Sequence, residues 1–218
     1  MTDSPEKPPA RRRRAIGDKT ANIPKVQLGP ADWVGAAFDM LVTDNIDAVR
    51  VDVLAKRLNV TRGSFYWHFA DREDLLERVL EQWRRTTTER VIERFSSGGL
   101  GARDMLRELL RLPFHGKAAA NASAVEMAIR EWGRRSDDVR RVLAEVDNQR
   151  LGYISQCFSA LGRSIPEARN CAALFYAAML SEAMLQHVLP EGQREERVTF
   201  IAAAVIDRPG GDAPGRSA

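Results

Sequence analysis

A chain of 218 residues, 44% of them hydrophobic, can bury a real core and form one large or two small domains, which excludes disorder throughout. Its net charge of +3 is unevenly spread: residues 1–28 hold Lys7, Arg11, Arg12, Arg13, Arg14, Lys19 and Lys25 against Asp3, Glu6 and Asp18, so the rest of the chain is slightly acidic. Such a body does not bind polyanions through bulk charge alone, whereas the basic segment is drawn to phosphates or an anionic surface.

Residues 1–28 contain four of the ten prolines and no apolar periodicity, and read as a mobile basic arm. Its arginine run suits a solvated tail, a minor-groove arm or a non-specific phosphate anchor. No apolar stretch follows Arg14, so a secretory signal is not expected. The longest apolar run, Ala172 to Leu180, is far too short for a bilayer span. These features predict a cytoplasmic protein without membrane attachment.

From residue 29 to 206 the signal is helical and strand-like alternation is missing. The first helix is expected from Pro30 to about Thr43, with Trp33, Ala36, Ala37, Met40 and Leu41 on its apolar face. After the polar turn Asp44-Asn45-Ile46-Asp47, a short helix over about 51–58 places Val51, Leu54, Ala55 and Leu58 on one side, and Asn59 suits a left-handed end. Thr61 caps a third helix reaching about His68. Asp71 and Asp74, ahead of Leu75, Leu76, Val79, Leu80 and Trp83, resemble a capping-box start to a long connecting helix over 71–95. The Ser96-Ser97-Gly98-Gly99 break precedes helices expected at about 101–111, 117–135, 137–161, 166–189 and 192–206. The 166–189 helix is apolar almost all round, so it is either central in the bundle or packed against a second subunit. The tail over 207–218 reads as disordered. Cys157 and Cys171 have no metal-ligand or CxxC spacing and read as small core residues.

Two short helices joined at Asn59-Val60 form a helix-turn-helix layout at about 51–68, in which the second helix enters the major groove of double-stranded DNA. In that second helix Phe65 faces the core, leaving Arg62, Gly63, Ser64, Tyr66, Trp67 and His68 outward. Exposing three rings side by side forgoes roughly 25 cal/mol per Å² of burial unless a partner covers them. Between residues 50 and 72, five basic residues (Arg50, Lys56, Arg57, Arg62, Arg72) face two acidic ones (Asp52, Asp71), concentrating positive charge on this segment.

From Trp33 to Trp83 the chain resembles the N-terminal domain of the TetR family of bacterial regulators, most specifically at Val53-Leu54-Ala55, Leu58-Asn59-Val60, Gly63-Ser64-Phe65-Tyr66-Trp67-His68-Phe69 and Asp71-Arg72-Glu73-Asp74-Leu75-Leu76. The resemblance implies a homodimer on a near-palindromic operator and a C-terminal domain that receives a small-molecule effector. By position it implies that Arg62, Gly63 and Ser64, just after Thr61, face base edges or adjacent phosphates, with Arg62 able to fork onto a guanine. It puts Tyr66, Trp67 and His68 against the backbone and Arg72 on a phosphate. The chain departs from the family's usual pattern at Val51 and Asp52, where a polar or basic residue is common; Arg50 is the substitute contact.

The predicted fold class is therefore all-α: a three-helix head over 29–75 and a helical-bundle effector and dimerisation body over 76–206. Met105, Phe114, His115, Met127, Trp132, Tyr153, Phe158 and Phe175 are the candidates for an effector cavity, although at helical spacing such residues are more often plain core. His187 reads as an interface or cap residue, and the dimer contact is expected on helices 166–189 and 192–206. With three histidines and no HExxH, GxSxG or glycine-rich phosphate loop, no catalysis, metal or cofactor is expected. Two other readings remain open: a DNA-binding activator or architectural regulator without a ligand, and a protein- or ligand-binding module that no longer reads DNA.

Overall fold

The computed structural model describes residues 28–112, 116–185 and 188–208, with the side chains of residues 116–119 and 191 excepted. The expectations for the Arg11–Arg14 arm, Phe114, His115, His187 and the tail from Pro209 lie outside the described residues. Among the described residues there is no strand: the order is α1 (Pro30–Thr43), a 3-10 turn (Ile46–Ala48), α2 (Val51–Arg57), α3 (Arg62–Phe65), α4 (Arg72–Arg84), a π turn (Arg85–Glu89), α5 (Arg90–Ser97), α6 (Ala102–Arg111), α7 (Gly116–Gly133), α8 (Asp137–Ala160), α9 (Ile165–Leu185), a 3-10 turn (Glu191–Gln193), α10 (Arg194–Ile201) and a closing π turn (Ala202–Ile206). None of these helices is long and apolar enough to cross a membrane.

Local chemistry sets the head's boundaries. Pro30 opens α1, and the Asp32 carboxylate accepts the Gly29 N–H at 2.7 Å. Asn45 accepts from the Asp47 and Ala48 amides at 2.8 and 3.2 Å, turning the polar segment into the 3-10 turn. Asn59 has φ 54°; Val60 N–H bonds to the Ala55 carbonyl at 2.9 Å and Asn59 N–H to the Lys56 carbonyl at 3.2 Å, which is a Schellman ending of α2. Asp71 accepts the Asp74 amide, while Asp74 reaches back to the Ala70 amide, each at 2.9 Å, capping α4 reciprocally.

Two expectations need correction here. The third helix is shorter than 61–68: the Phe65 carbonyl accepts both the His68 and Phe69 amides, at 2.9 and 3.1 Å, which tightens residues 66–68 into a turn. Thr61 stands at its N-terminal boundary, but its side chain makes no capping hydrogen bond.

Phe65 is wholly buried, edge-on to Trp33 at 5.2 Å and stacked on Phe69 at 5.1 Å, and this aromatic cluster ties α1, α3 and the start of α4 together. The same core continues without a gap into the body through Val125, Ile129 and Trp132 of α7 and Val139, Leu143 and Val146 of α8. A second core gathers Phe95, Leu106, Leu110, Phe158, Ala172 and Phe175. The most extensive helix pair is α8 with α9, and α7 lies across both and against α1. Gly133 permits the tight α7–α8 corner, since a Cβ there would sit 2.4 Å from Leu143 Cδ1.

Helix α9 is not central. Ala168, Ala172 and Phe175 are buried, but Leu174 and Met184 stand exposed, as do Phe200 of α10 and Val188 between the two helices. Of the two arrangements open to an all-round apolar helix, the single chain has the one with a bare face.

Candidate functional site

The surface of α3 and the turn after it carries the residues expected to face DNA. Trp67 is 87% exposed and Tyr66 55%, an unusual position for two large rings beside a well-formed aromatic core. Arg62, Gly63 and Thr61 are exposed and Ser64 is half-buried. Arg62 makes no hydrogen bond or ion pair among the described residues, whereas Arg57 pairs with Asp39 at 3.5 Å and Arg50 with Asp52 at 3.2 Å. The fold does not itself demand a glycine at position 63, because a Cβ there would meet only Thr61 Oγ1, at an ordinary 3.7 Å.

Three expected contacts sit differently from the rest. His68 is half-buried, and its Nε2 bonds to the Leu28 carbonyl at 3.0 Å, holding the chain's entry into α1. Arg72 turns inward: Nε donates to the Val49 carbonyl at 2.6 Å and an Nη to the Ile46 carbonyl at 2.7 Å, closing the end of the 3-10 turn. Its remaining ion pair is with Glu73 at 3.4 Å. Arg50, at the N-terminal boundary of α2, shares its guanidinium with Asp52. Sequence pattern marks Arg72 as a cation near a helix start, but not the two carbonyls that the fold brings to it.

The body contains a cavity of about 280 Å³ bounded by the connecting helix (Thr86, Thr87, Thr88, Val91), α6 (Leu109), α7 (Ser123, Glu126), α8 (Arg150, Tyr153) and α9 (Tyr176, Met179). It is mostly apolar with one polar wall. On that wall Arg150 donates to Glu126 at 3.0 and 3.2 Å, to Tyr176 Oη at 2.8 Å, and to Thr88 and Thr87 at 2.8 and 2.9 Å. Behind it Arg130 joins Glu126 at 2.9 Å to Asp147 at 2.6 and 3.1 Å, and Tyr176 donates to Asp147 at 2.6 Å. Burial alone would lower the Arg150 guanidinium's proton affinity, yet Glu126 and the Tyr176 bond raise it. Burial pushes the Tyr176 phenol up, and its bond to Asp147 adds to this. The ionised cluster is thus closed on itself, as buried charges must be.

Of the eight residues expected to line a cavity, Tyr153 does so, and Met105 lies behind it, its sulfur 3.0 Å from Tyr153 Oη. Phe158 and Phe175 pack on each other in the second core, centroids 6.0 Å apart. Met127 and Trp132 instead border a separate crevice between α7 and the end of α1. Helical periodicity identifies buried faces, but not where facing side chains leave a void, so it overlooked Arg150, Glu126, Tyr176 and the threonines. The available signal was charge at core spacing: Glu126, Arg130, Asp147 and Arg150 stand among apolar helical positions.

Residues 34–79 match the sequence model of the bacterial regulatory proteins of the tetR family. Over 177 residues the chain is 26% identical to the transcriptional regulator AcuR of Cereibacter sphaeroides, covering 80% of this chain and 76% of that protein. Its fold is similar to that of a transcriptional regulator from Rhodococcus sp. Rha1 (TM-score 0.64, 18% identity, 83% of this chain and 97% of that one). It is equally similar to reduced NemR of E. coli (TM-score 0.64, 17% identity, 84% and 99%). Residues 34–79 thus carry the helix-turn-helix domain of the tetR family of bacterial regulatory proteins, set on an all-helical body whose fold is similar to that of these solved regulators.

Proposed function

We propose that the chain is a homodimeric repressor that occludes a near-palindromic operator and is released by a small, largely apolar effector. The observation that carries the DNA-reading part is the uncovered surface at α3, where Trp67 and Tyr66 are exposed beside an Arg62 that has no partner within the described residues. In this reading Arg62 forks onto a base edge, Ser64 and Thr61 add polar contacts, and the open side of Gly63 lets the backbone approach the groove. Tyr66 and Trp67 lie along sugar and phosphate. His68, Arg72 and Arg50 act through their own anchoring bonds, holding the head in shape and meeting phosphate only at its edge.

The exposed apolar side chains of α9 and α10, Leu174, Met184 and Phe200, support pairing with a second copy about a two-fold axis. Two heads so paired meet half-sites about one DNA turn (~34 Å) apart. The cavity supports the effector, because the connecting helix forms part of its wall and carries any rearrangement directly to the head. The protein would act in the cytoplasm, where its operator is.

Selection from a randomised duplex pool at two salt concentrations, with wild type beside Arg62→Ala, tests this. Enrichment of a near-palindromic site, steep salt dependence, and loss of selectivity at fixed positions in the variant are expected. Salt-dependent binding without sequence preference would refute it.

A further inference from the structure

The connecting helix changes register where it borders the cavity: Arg85–Glu89 form a π turn between the α-helical segments α4 and α5. A π turn is less stable than the α-helix that could replace it and persists where neighbouring groups hold it. Here those groups are identifiable. Arg150, reaching across from α8, donates Nε to Thr88 Oγ1 at 2.8 Å and an Nη to Thr87 Oγ1 at 2.9 Å, so two consecutive residues of the turn hang on one guanidinium. The Thr87 hydroxyl in turn donates to the Trp83 carbonyl at 2.8 Å, tying the turn to the end of α4. Glu126 fixes Arg150 with two bonds and also accepts the Trp83 indole N–H at 3.1 Å. Trp83 belongs to the core that runs into the head, while Arg150, Glu126, Thr87 and Thr88 all border the cavity.

We propose that Arg150 is the residue through which occupancy of the cavity reaches the DNA-binding head, by holding or releasing the π turn. This rests on reading the cavity as the effector site. Every Arg150 donor already has an acceptor, so a ligand competes for it only by presenting an acceptor of its own. The cavity, about 280 Å³, is lined mostly by apolar side chains. The effector is therefore a small apolar molecule bearing a hydrogen-bond acceptor. When that acceptor draws Arg150 away from Thr87 and Thr88, the turn relaxes to α-helical register and α4 rotates with the head on it.

The test uses the full chain without any ligand. Thr87→Val and Thr88→Val remove one acceptor each and keep side-chain shape, while Arg150→Lys keeps the charge but not the fork. Two quantities are read: amide hydrogen exchange over residues 84–90, and affinity for a duplex enriched by the wild type. We expect exchange in that window at least about tenfold slower in the variants, as the turn relaxes to the more stable α-helix, and duplex affinity at least about fivefold weaker, within the usual range of allosteric coupling. Unchanged or faster exchange in both valine variants, or slower exchange with unchanged affinity, overturns the role of Arg150 while leaving the regulator reading intact. A wild type that enriches no duplex sinks that reading, and the transmission with it.

Discussion

Trp83 and Arg150 are bound to the same carboxylate: the indole Nε1 and an Arg150 Nη both donate to Glu126 Oε2, at 3.1 and 3.2 Å, while the guanidinium carbon lies 5.4 Å from the centre of the indole ring. Trp83 ends the head-facing run of α4, and Arg150 belongs to the body, so this contact joins the two through one buried acid. Trp83→Phe removes the donor and part of the ring. Glu126 keeps its arginine partners, so the expected cost is about 1–3 kcal/mol in chemical denaturation, from a lost hydrogen bond and a small void. A cost near zero would show that the indole N–H bond contributes nothing to the joint.

Gly133 and Leu143 bring α7 and α8 together at their corner. Gly133→Ala places a methyl 2.4 Å from Leu143 Cδ1, and the buried leucine has to rearrange. Overpacking of this kind costs about 1–3 kcal/mol. Leu143→Ala alone is also destabilising, but the double variant should be more stable than the sum of the two single losses predicts. Strict additivity in the thermodynamic cycle would refute the clash.

Arg72 separates structural from DNA-contact roles. Because its guanidinium closes the carbonyls of Ile46 and Val49, Arg72→Ala should lower thermal stability, by about 1–2 kcal/mol for the carbonyls left short of a donor. Arg62→Ala, which breaks no described bond, should leave the melting temperature within about 1 kcal/mol equivalent of wild type and act on DNA binding alone. Equal melting temperatures for wild type and Arg72→Ala would return Arg72 to a purely phosphate-facing role.

Dimerisation through α9 and α10 predicts that Leu174→Glu or Phe200→Glu, at positions 64% and 73% exposed in the single chain, turns the protein monomeric in sedimentation without unfolding it. Helical circular dichroism should be retained. A variant that still sediments as the wild-type dimer would move the interface elsewhere.

The buried cluster predicts a loss of stability at both ends of the pH scale. Asp147 lies below the ordinary carboxylate range: burial would raise it, and the bonds from Arg130 and Tyr176 outweigh that. Its contribution is therefore present above the unfolded value of about 3.9 and is lost as pH falls through the lower folded value. Tyr176 is shifted upward, first by burial, so the folded protein keeps a neutral phenol when the unfolded chain ionises above about pH 10, and stability declines there. Melting temperature against pH should flatten at the acid limb in Asp147→Asn and at the alkaline limb in Tyr176→Phe, each relative to wild type. Parallel curves in either case would exclude that residue.

What was legible in the sequence was local. Pro30, Asn45, Asn59 and the Asp71–Asp74 pair set helix ends through bonds that span a few residues, and the apolar period picks out Trp33, Phe65, Leu75 and Val79 as core because a helix must bury one stripe. Tyr66 and Trp67 could be read as outward-facing because Phe65 beside them takes the inward direction. The tertiary structure alone decided what depends on residues far apart in the chain. It brought the carbonyls of Ile46 and Val49 to Arg72, opened a cavity among Thr87, Glu126, Arg150 and Tyr176, and left one face of α9 bare. A periodic pattern states which side of a helix is buried; only packing states against what, with which polar groups enclosed, and where space remains.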